Sequence, residues 1–262
     1  MTSASEAREA LSRAEAAYRH LAFTDFGEDL AFGLNIGFYR TFAVPEIAQV
    51  LASTGRMTGQ TELRAKATGQ MMYRLFRHGL DSEQGVQAVA ALNHIHARWA
   101  ISNDSFLYVL ACFDIAPMRW CDTYAWRPTT RAEKTASHLF YRGLAERMGI
   151  RQVPATWDEF AEWTDRYEQS RFSATSEAAA LWNATRDLLA NRFPAALSPL
   201  IRTVADALLD EPLRQACGAH KTSAPVRALV SGAMKLRARR IRRAHSHPDY
   251  RPVLPPSVLD LE

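Results

Sequence analysis

The helical spacing of apolar residues constrains the fold of this chain most, because it persists along the chain without the alternation of a β-strand. Capping residues, glycines and prolines divide the pattern into segments. A first helix should run to about Leu21, and two further helices should begin after Ser82 and Ser102, the second kinking or restarting at Pro117. Other helices are predicted over residues 25–42, 46–53, 61–78, 130–148, 157–169, 176–191, 199–209 and 224–243.

The length and composition favour one helical domain spanning residues 1–262. Hydrophobic residues make up 47% of the chain, which is ample for a core. No internal repeat and no linker rich in Gly or Ser divides it. The prolines after His247 indicate an extended tail over residues 247–262. The prediction is an all-α domain.

Several classes of protein are disfavoured. No apolar run approaches the ~20 residues of a membrane span, and the N-terminal segment lacks the apolar core of a signal peptide, so a cytoplasmic location is expected. The three cysteines lack CxxC spacing, which indicates free thiols in place of a zinc site. The sequence has no HExxH, P-loop, GxSxG or dinucleotide-binding glycine motif.

Positive charge is concentrated near the C-terminus. Residues 212–248 contain nine Lys and Arg and no Asp or Glu, so the rest of the chain carries 4 − 9 = −5. Most of the excess lies in Lys235–Arg243. This segment is either a solvated last helix or a surface that could dock on phosphate or make peripheral contact with an anionic membrane. No aromatic residues are interleaved with the arginines, so nucleic acid is not expected as a partner.

The segment over residues 84–110 contains two histidines on one predicted helix. His94 and His96 are two residues apart, which is about 200° on a helix, so they point to opposite sides. His96 shares an apolar stripe and should face the core, whereas His94 should face solvent. The core-facing stripe comprises Val86, Val89, Leu92, Asn93, His96 and Ala100, and the wetter side comprises Gln87, Ala91, His94 and Arg98. An alternative role for His96 is a neutral core histidine bonded to a carbonyl group.

The predicted helix over residues 61–78 carries Arg64 and Thr68 at the head of an apolar stripe that continues through Met71, Met72 and Leu75. Burying a cation and a hydroxyl there costs hydration free energy unless an anionic or hydrogen-bonding group compensates for it. Alternatively, Arg64 extends to the edge of the core and Thr68 bonds to its own helix.

The run from Leu92 to Asp104, with Phe106 to Tyr108 after it, resembles the catalytic segment of the MpaB/rubber-oxygenase family. That family includes latex-clearing proteins and fungal oxygenases that shorten a prenyl chain. The resemblance extends over about residues 20–245. Further matching segments are Arg40–Pro45, His78–Gly79, Pro117–Trp120, Tyr124–Pro128 and Met148–Ile150.

The resemblance implies a globin-related helical core that binds haem b, with His96 as the protein ligand of the iron and His94 as the fallback. Arg64 and Thr68 match an Arg-x-x-x-Thr motif beside the haem pocket, where they would contact a propionate, dioxygen or substrate. The rubber-cleaving members have a lysine immediately before that threonine, whereas this chain has Ala67. The nearby Lys66 is rotated by about 100°, so a distal lysine ligand is not expected.

The remaining cofactor contacts are expected from apolar and cationic side chains. A ferrous haem needs an apolar sleeve and cations for its propionates. The candidates for the sleeve are Met71, Met72, Phe76, Phe106, Val109 and Phe113, and those for the propionates are Arg64, Arg98 and Arg119. Met and aromatic stripes of this kind also occur in plain cores.

The function that follows is a haem b oxygenase that uses dioxygen to cleave a C=C bond of a hydrophobic substrate, such as an isoprenoid or polyketide-like molecule. One alternative keeps the haem but carries out hydroxylation or peroxygenation. Others are a non-catalytic haem- or lipid-binding protein, and a nucleic-acid or membrane-surface binder using Lys235–Arg243. A non-haem iron site of His94, His96 and Asp104 is disfavoured because the two histidines diverge.

Overall fold

A computed structural model describes residues 4–55, 61–247 and 250–255, with the backbone alone for residues 4 and 61–65. Within these residues the fold is a single helical domain of twelve α-helices without strands, which confirms the all-α prediction. The helices are α1 (Ala4–His20), α2 (Gly27–Arg40), α3 (Pro45–Ser53), α4 (Thr61–His78), α5 (Glu83–His96), α6 (Asn103–Tyr124), α7 (Arg131–Met148), α8 (Trp157–Arg171), α9 (Ser176–Ala190), α10 (Ser198–Leu208), α11 (Glu211–Ala216) and α12 (Ala224–His245).

The helix boundaries follow local capping chemistry. The hydroxyl groups of Ser82 and Ser102 accept hydrogen bonds from backbone N–H groups at the starts of α5 and α6. Thr130 and Thr156 form capping boxes at α7 and α8. Gly149 ends α7 with a φ of +71°, which favours glycine. These boundaries were predictable because each depends on residues close in sequence.

The structure differs from the sequence-based expectations in several places. Leu21–Asp25 forms a π-helical turn between α1 and α2. A restart at Pro117 is wrong, because α6 continues through that residue. The short helix α11 was not predicted, since six residues are too few for a periodic pattern; Asp210 caps it by accepting a hydrogen bond from Leu213 N at 3.0 Å.

Helices α2 and α6 form the most extensive helix pair, and two glycines of α2 make it close. A Cβ atom at Gly33 would lie 2.4 Å from Pro117 Cα, and one at Gly37 would lie 2.1 Å from Cys112 O. Both distances are too short for any side chain. The two backbones therefore approach each other at positions four residues apart, and Pro117 is buried in that contact.

The main hydrophobic core lies where α1, α4 and α7 meet. Tyr18 stacks on Phe140 with ring centroids 5.1 Å apart, and its edge meets Phe76 at 5.0 Å. The Tyr18 and Tyr141 hydroxyl groups are 3.2 Å apart, so each buried phenol has a hydrogen-bonding partner. Aromatic side chains thus fill this core, and the Tyr18 and Tyr141 hydroxyl groups within it pair with each other.

A largely buried ion-pair network joins α2, α6, α8 and the start of α11. Arg40 Nε donates to Glu168 Oε1 at 2.7 Å, and the same guanidinium group binds Asp210. Tyr108 donates its hydroxyl proton to Glu168 Oε1 at 2.9 Å. Because its partners come from distant parts of the chain, the network fixes their relative positions.

A second buried polar group lies between α6 and α7. Asp114 Oδ2 is 2.9 Å from His138 Nδ1, and Asp114 Oδ1 accepts a hydrogen bond from Ser137 at 2.7 Å. His138 Nε2 is 3.0 Å from the carbonyl oxygen of Pro154. Burial raises the pKa of the Asp114 carboxyl, against the opposing effect of its bonds to His138 and Ser137.

The C-terminal tail lies against the body of the domain. Residues 251–255 have no regular secondary structure, and a Cβ at Gly27 would meet Val253 O at 2.6 Å. His245 lies between Trp126 and Tyr250, with ring centroids 4.2 and 4.1 Å away. The rest of the predicted extended tail lies outside the described residues. In the part of the chain that the structure describes, no helix has the length and apolar character to cross a bilayer.

The α2–α6 contact predicts the effect of filling Gly37. Gly37→Ala should lower the free energy of unfolding by about 2–3 kcal/mol, because the new methyl group can be accommodated only by moving a backbone carbonyl. Urea unfolding measures the change. Gly232→Ala in α12 is the matched control, since nothing lies near its Cβ position, and it should be neutral or stabilising by up to about 1 kcal/mol. Equal effects of the two substitutions would contradict the close contact.

The Asp114 environment predicts a pH dependence of stability. Burial raises the pKa of this carboxyl above its ordinary value of 3.8. The raised pKa therefore stabilises the folded state fully below pH 3.8, and this stabilisation is lost as pH rises through the raised pKa. The free energy of unfolding of the wild type minus that of Asp114→Asn should therefore fall with increasing pH. Urea titrations at a series of pH values test this, with the exposed Asp158→Asn as control. A difference that rises with pH would refute it.

Candidate functional site

The start of α5 is held in place by the turn that precedes it. Gly79 adopts a φ of +79°, and Leu80 N donates to Glu15 Oε1 at 2.8 Å. A Cβ at Gly85 would lie 2.0 Å from Gly79 O, so only glycine permits this approach. The first turn of α5 is consequently fixed against the end of α4 and against α1.

Two asparagines hold the other end of α5. Asn93 Nδ2 donates to Arg147 O at 3.1 Å, which ties α5 to the end of α7. Asn103, the first residue of α6, donates to Arg151 O at 3.1 Å and accepts from Arg151 N at 2.8 Å. The segment between α5 and α6 is thus attached on both sides to one stretch of the chain, and His96 lies at its start.

His96 and His94 occupy opposite sides of α5, as their spacing predicts. The imidazole of His96 is half-buried with its Nδ1 atom shielded from solvent, and its ring meets the edge of Phe106 at a centroid distance of 5.2 Å. His94 is exposed, and its Nε2 atom is 2.9 Å from Arg98 Nη2. His96 therefore has the more apolar surroundings of the two.

The predicted stripe on α5 is wrong at its two ends. Val86 is 55% exposed in the first turn of the helix. Ala100 is also exposed, because α5 ends at His96 and helical spacing no longer applies beyond it. Between these ends Val89 is buried, and Leu92 and Asn93 are half-buried.

Partly covered apolar side chains lie at the margin of the main core, and one of them, Phe106, contacts His96. Leu92 shares the His96 face of α5, and Phe106 and Phe113 lie on one face of α6. Met71 is likewise half-buried against the main core, whereas Val109 packs against a separate cluster that contains Tyr108 and Cys112. By contrast, Met72 and Phe76 are buried in the main core. The margin supplies an apolar border, and the role of these residues toward a cofactor stays a prediction.

Arg64 and Thr68 lie on α4, the helix that precedes α5. The helical rise puts Arg64 and His96 at similar distances, about 20 Å, from the connection between α4 and α5. Because that connection is short and the helices pack together, we infer that the two residues share one end of the pair. Thr68 is half-buried. The side chain of Arg64 lies outside the described residues, so its predicted contacts are not tested.

The other two predicted propionate partners are engaged elsewhere. Arg98 is exposed and contacts His94. Arg119 donates two hydrogen bonds to Asp165, at 2.6 and 2.8 Å. It is thirteen residues beyond Phe106 on α6, or about 20 Å along the helix. The structure therefore does not bring Arg119 to His96.

The residues around His96 match what haem b requires, which is one axial imidazole in apolar surroundings. A half-buried imidazole bordered by Phe106 and Leu92 offers this combination. The non-haem alternative would need His94 and Asp104 as further ligands, but both are exposed. Among the described residues, no three His, Cys, Asp or Glu side chains lie close enough together to hold a metal ion.

Two buried networks were missed by the reasoning from sequence. A lone acid inside the apolar run of α6 was the available signal for Asp114, whose partner His138 lies 24 residues away. Arg40 belongs to a segment used for the family resemblance, but nothing in the sequence indicated its bonds to Glu168 and Asp210. Both networks position helices, and neither touches His96 in the described contacts.

Comparison with known proteins supports the same family. The model of the family "ER-bound oxygenase mpaB/B'/Rubber oxygenase, catalytic domain" matches residues 26–243. The ER-bound oxygenase mpaB of Penicillium roqueforti (strain FM164) is 22% identical over 196 residues, covering 68% of this chain and 66% of the relative. The ER-bound oxygenase mpaB' of Penicillium brevicompactum is also 22% identical over 196 residues, covering 68% of this chain and 46% of the relative.

The chain spans less than two thirds of the length of these relatives. Their names place them at the ER, so the cytoplasmic location expected for this chain stays a prediction. The family match covers most of the chain, including the whole of α5 and α6 with His96 between the anchors described above. The chain therefore belongs to the MpaB/rubber-oxygenase family and contains its catalytic domain.

Proposed function

We propose that this protein is a haem b-dependent oxygenase that uses dioxygen to cleave a C=C bond in a hydrophobic substrate of isoprenoid or polyketide-like chemistry. Membership of an oxygenase family supports the reaction class. The observation that carries the cofactor assignment is the half-buried imidazole of His96, which has Phe106 at its edge and an apolar border. When bound, the haem supplies the iron at which dioxygen is activated.

The chain's own contribution begins with His96. Its attachment through Asn93 and Asn103 holds the imidazole in one place, and the Phe106 ring limits its rotation. A neutral imidazole is the form that binds iron. The same border excludes water, which protects a reactive centre and suits an alkene substrate.

Arg64 and Thr68 would contact the cofactor and the reacting molecules. A guanidinium group can pair with a propionate, and a threonine hydroxyl can donate a hydrogen bond to a polar atom of the reacting molecules. Their position on α4, at the His96 end of the helix pair, supports this role. In this chain Ala67 occupies the position of the lysine in rubber-cleaving members, so the neighbourhood of Thr68 carries a methyl group where those members carry an amine.

The two histidines provide a matched pair of variants. His96→Ala should abolish the haem absorption of the purified protein, because it removes the imidazole that the apolar border surrounds. His94→Ala should leave that absorption nearly unchanged, since this side chain is exposed. Visible spectra and haem content per chain measure both effects, and circular dichroism confirms that each variant is folded. The reverse pattern would overturn the assignment.

Arg64→Ala and Thr68→Val test the roles on α4. Each should retain the helical circular dichroism spectrum but lower substrate-dependent oxygen consumption by about a hundredfold, the typical cost of losing one positioned polar group. A short cis-isoprene oligomer is the probe and an oxygen electrode the detector. The exposed Arg74→Ala, on the same helix, is the control. Wild-type turnover in both variants would eliminate these residues from the mechanism.

A further inference from the structure

Large apolar side chains are exposed in two stretches near the C-terminus, one before and at the start of α10 and the other on α12. Five of the nine exposed large hydrophobic residues in the described part of the chain fall between residues 193 and 236. Leu229 of α12 is the most exposed of them, at 73%. Helix α10 packs against α12. The five residues are Phe193, Leu197, Leu200, Leu229 and Leu236.

The leucines of α12 share its outer face. Leu236 follows Leu229 by seven residues, which is two helical turns and places the side chains within about 20° of each other. Gly232 and Ala233 lie between them on the same side and are also exposed. The middle of α12, from Leu229 to Leu236, thus directs an apolar stripe away from the protein.

Basic residues continue and flank this stripe. Arg240 and Arg243 lie within about 40° of the Leu229 direction, one and two turns beyond Leu236. None of the five exposed basic residues between Lys235 and Arg243 forms an ion pair within the described part of the chain. These exposed residues are Lys235, Arg239, Arg240, Arg242 and Arg243. The outer face of α12 therefore combines exposed leucines with uncompensated positive charge.

The inner face of α12 fixes this orientation. Val230 and Ala238 are buried, and Arg237 binds Glu28 at 2.6 Å and Asp29 at 2.5 Å. His245 stacks on Trp126 at the end of the helix. Because the inner side is held by both packing and ion pairs, the helix cannot turn its leucines inward without losing these bonds.

We propose that the outer face of α12 docks the protein on an anionic lipid bilayer. Leucines gain free energy by entering the acyl boundary, and arginines beside them gain it from anionic headgroups. A nucleic acid would use the arginines but not the leucines, and no aromatic residues are available among the arginines to stack on bases. A purely solvated helix would not have leucines at the centre of its outward face. Docking through α12 does not require the protein to bind haem.

Vesicle flotation of the full chain tests the proposal. The protein should float with phosphatidylcholine vesicles that contain phosphatidylserine and remain unbound with phosphatidylcholine alone. Raising the salt concentration should weaken the binding, because headgroup attraction is screened. Equal flotation with both vesicle types, or with neither, would overturn the proposal.

Two sets of variants separate the contributions. Leu229→Ser with Leu236→Ser should lower the partition coefficient by more than about tenfold. Arg239→Gln, Arg240→Gln and Arg243→Gln together should lower it by about a hundredfold, at roughly fivefold for each charge. The controls are Val86→Ser and the pair Arg131→Gln with Arg166→Gln, which change exposed residues of other helices and should leave binding unchanged.

A nucleic-acid arm distinguishes the rival partner. The lipid assignment is wrong if three results occur together. Duplex DNA binds the wild type as tightly as the vesicles do, the leucine variant binds DNA normally, and the leucine variant also binds vesicles normally. The haem content of every variant should equal that of the wild type. Loss of vesicle binding can therefore be distinguished from loss of haem, which tests the proposed function.

Discussion

The close approach of α2 to α6 is the contact on which the rest of the structure depends. Gly33 and Gly37 allow the backbones to touch at Pro117 and Cys112, which leaves no room for a side chain at either glycine. Helix α6 in turn carries Phe106 against His96 and Asp114 against His138. A shift of α6 by even the width of a methyl group would therefore move the border of the candidate site and a buried polar network together.

Buried charges appear where distant segments must meet. Arg40 joins Glu168 and Asp210, and Arg237 joins Glu28 and Asp29. Such pairs are not a large source of stability, because the cost of desolvating the charges offsets their attraction. Their effect is on specificity, since any packing that separated the partners would leave a charge without compensation. Helices α2 and α8 are positioned in this way by Arg40, and α12 is positioned on α2 by Arg237.

The sequence predicted local features well and distant ones poorly. Ser82, Ser102, Thr130 and Thr156 start helices through bonds within four residues, so their roles were visible in the pattern. The orientation of His96 relative to His94 also follows from spacing alone. Periodicity cannot show which helix lies opposite a residue, and for this reason Asp165 was not foreseen as the partner of Arg119. The π-helical turn was missed because it inserts one extra residue in an otherwise regular helical pattern.

The central claim is that this chain binds haem b through His96, and the haem content of the purified wild-type protein tests it most directly. Protein from haem-sufficient cells should show a Soret band and about one haem b per chain in a pyridine haemochrome assay. A colourless protein that also fails to take up added hemin would contradict the account and leave a helical member of an oxygenase family without its proposed cofactor.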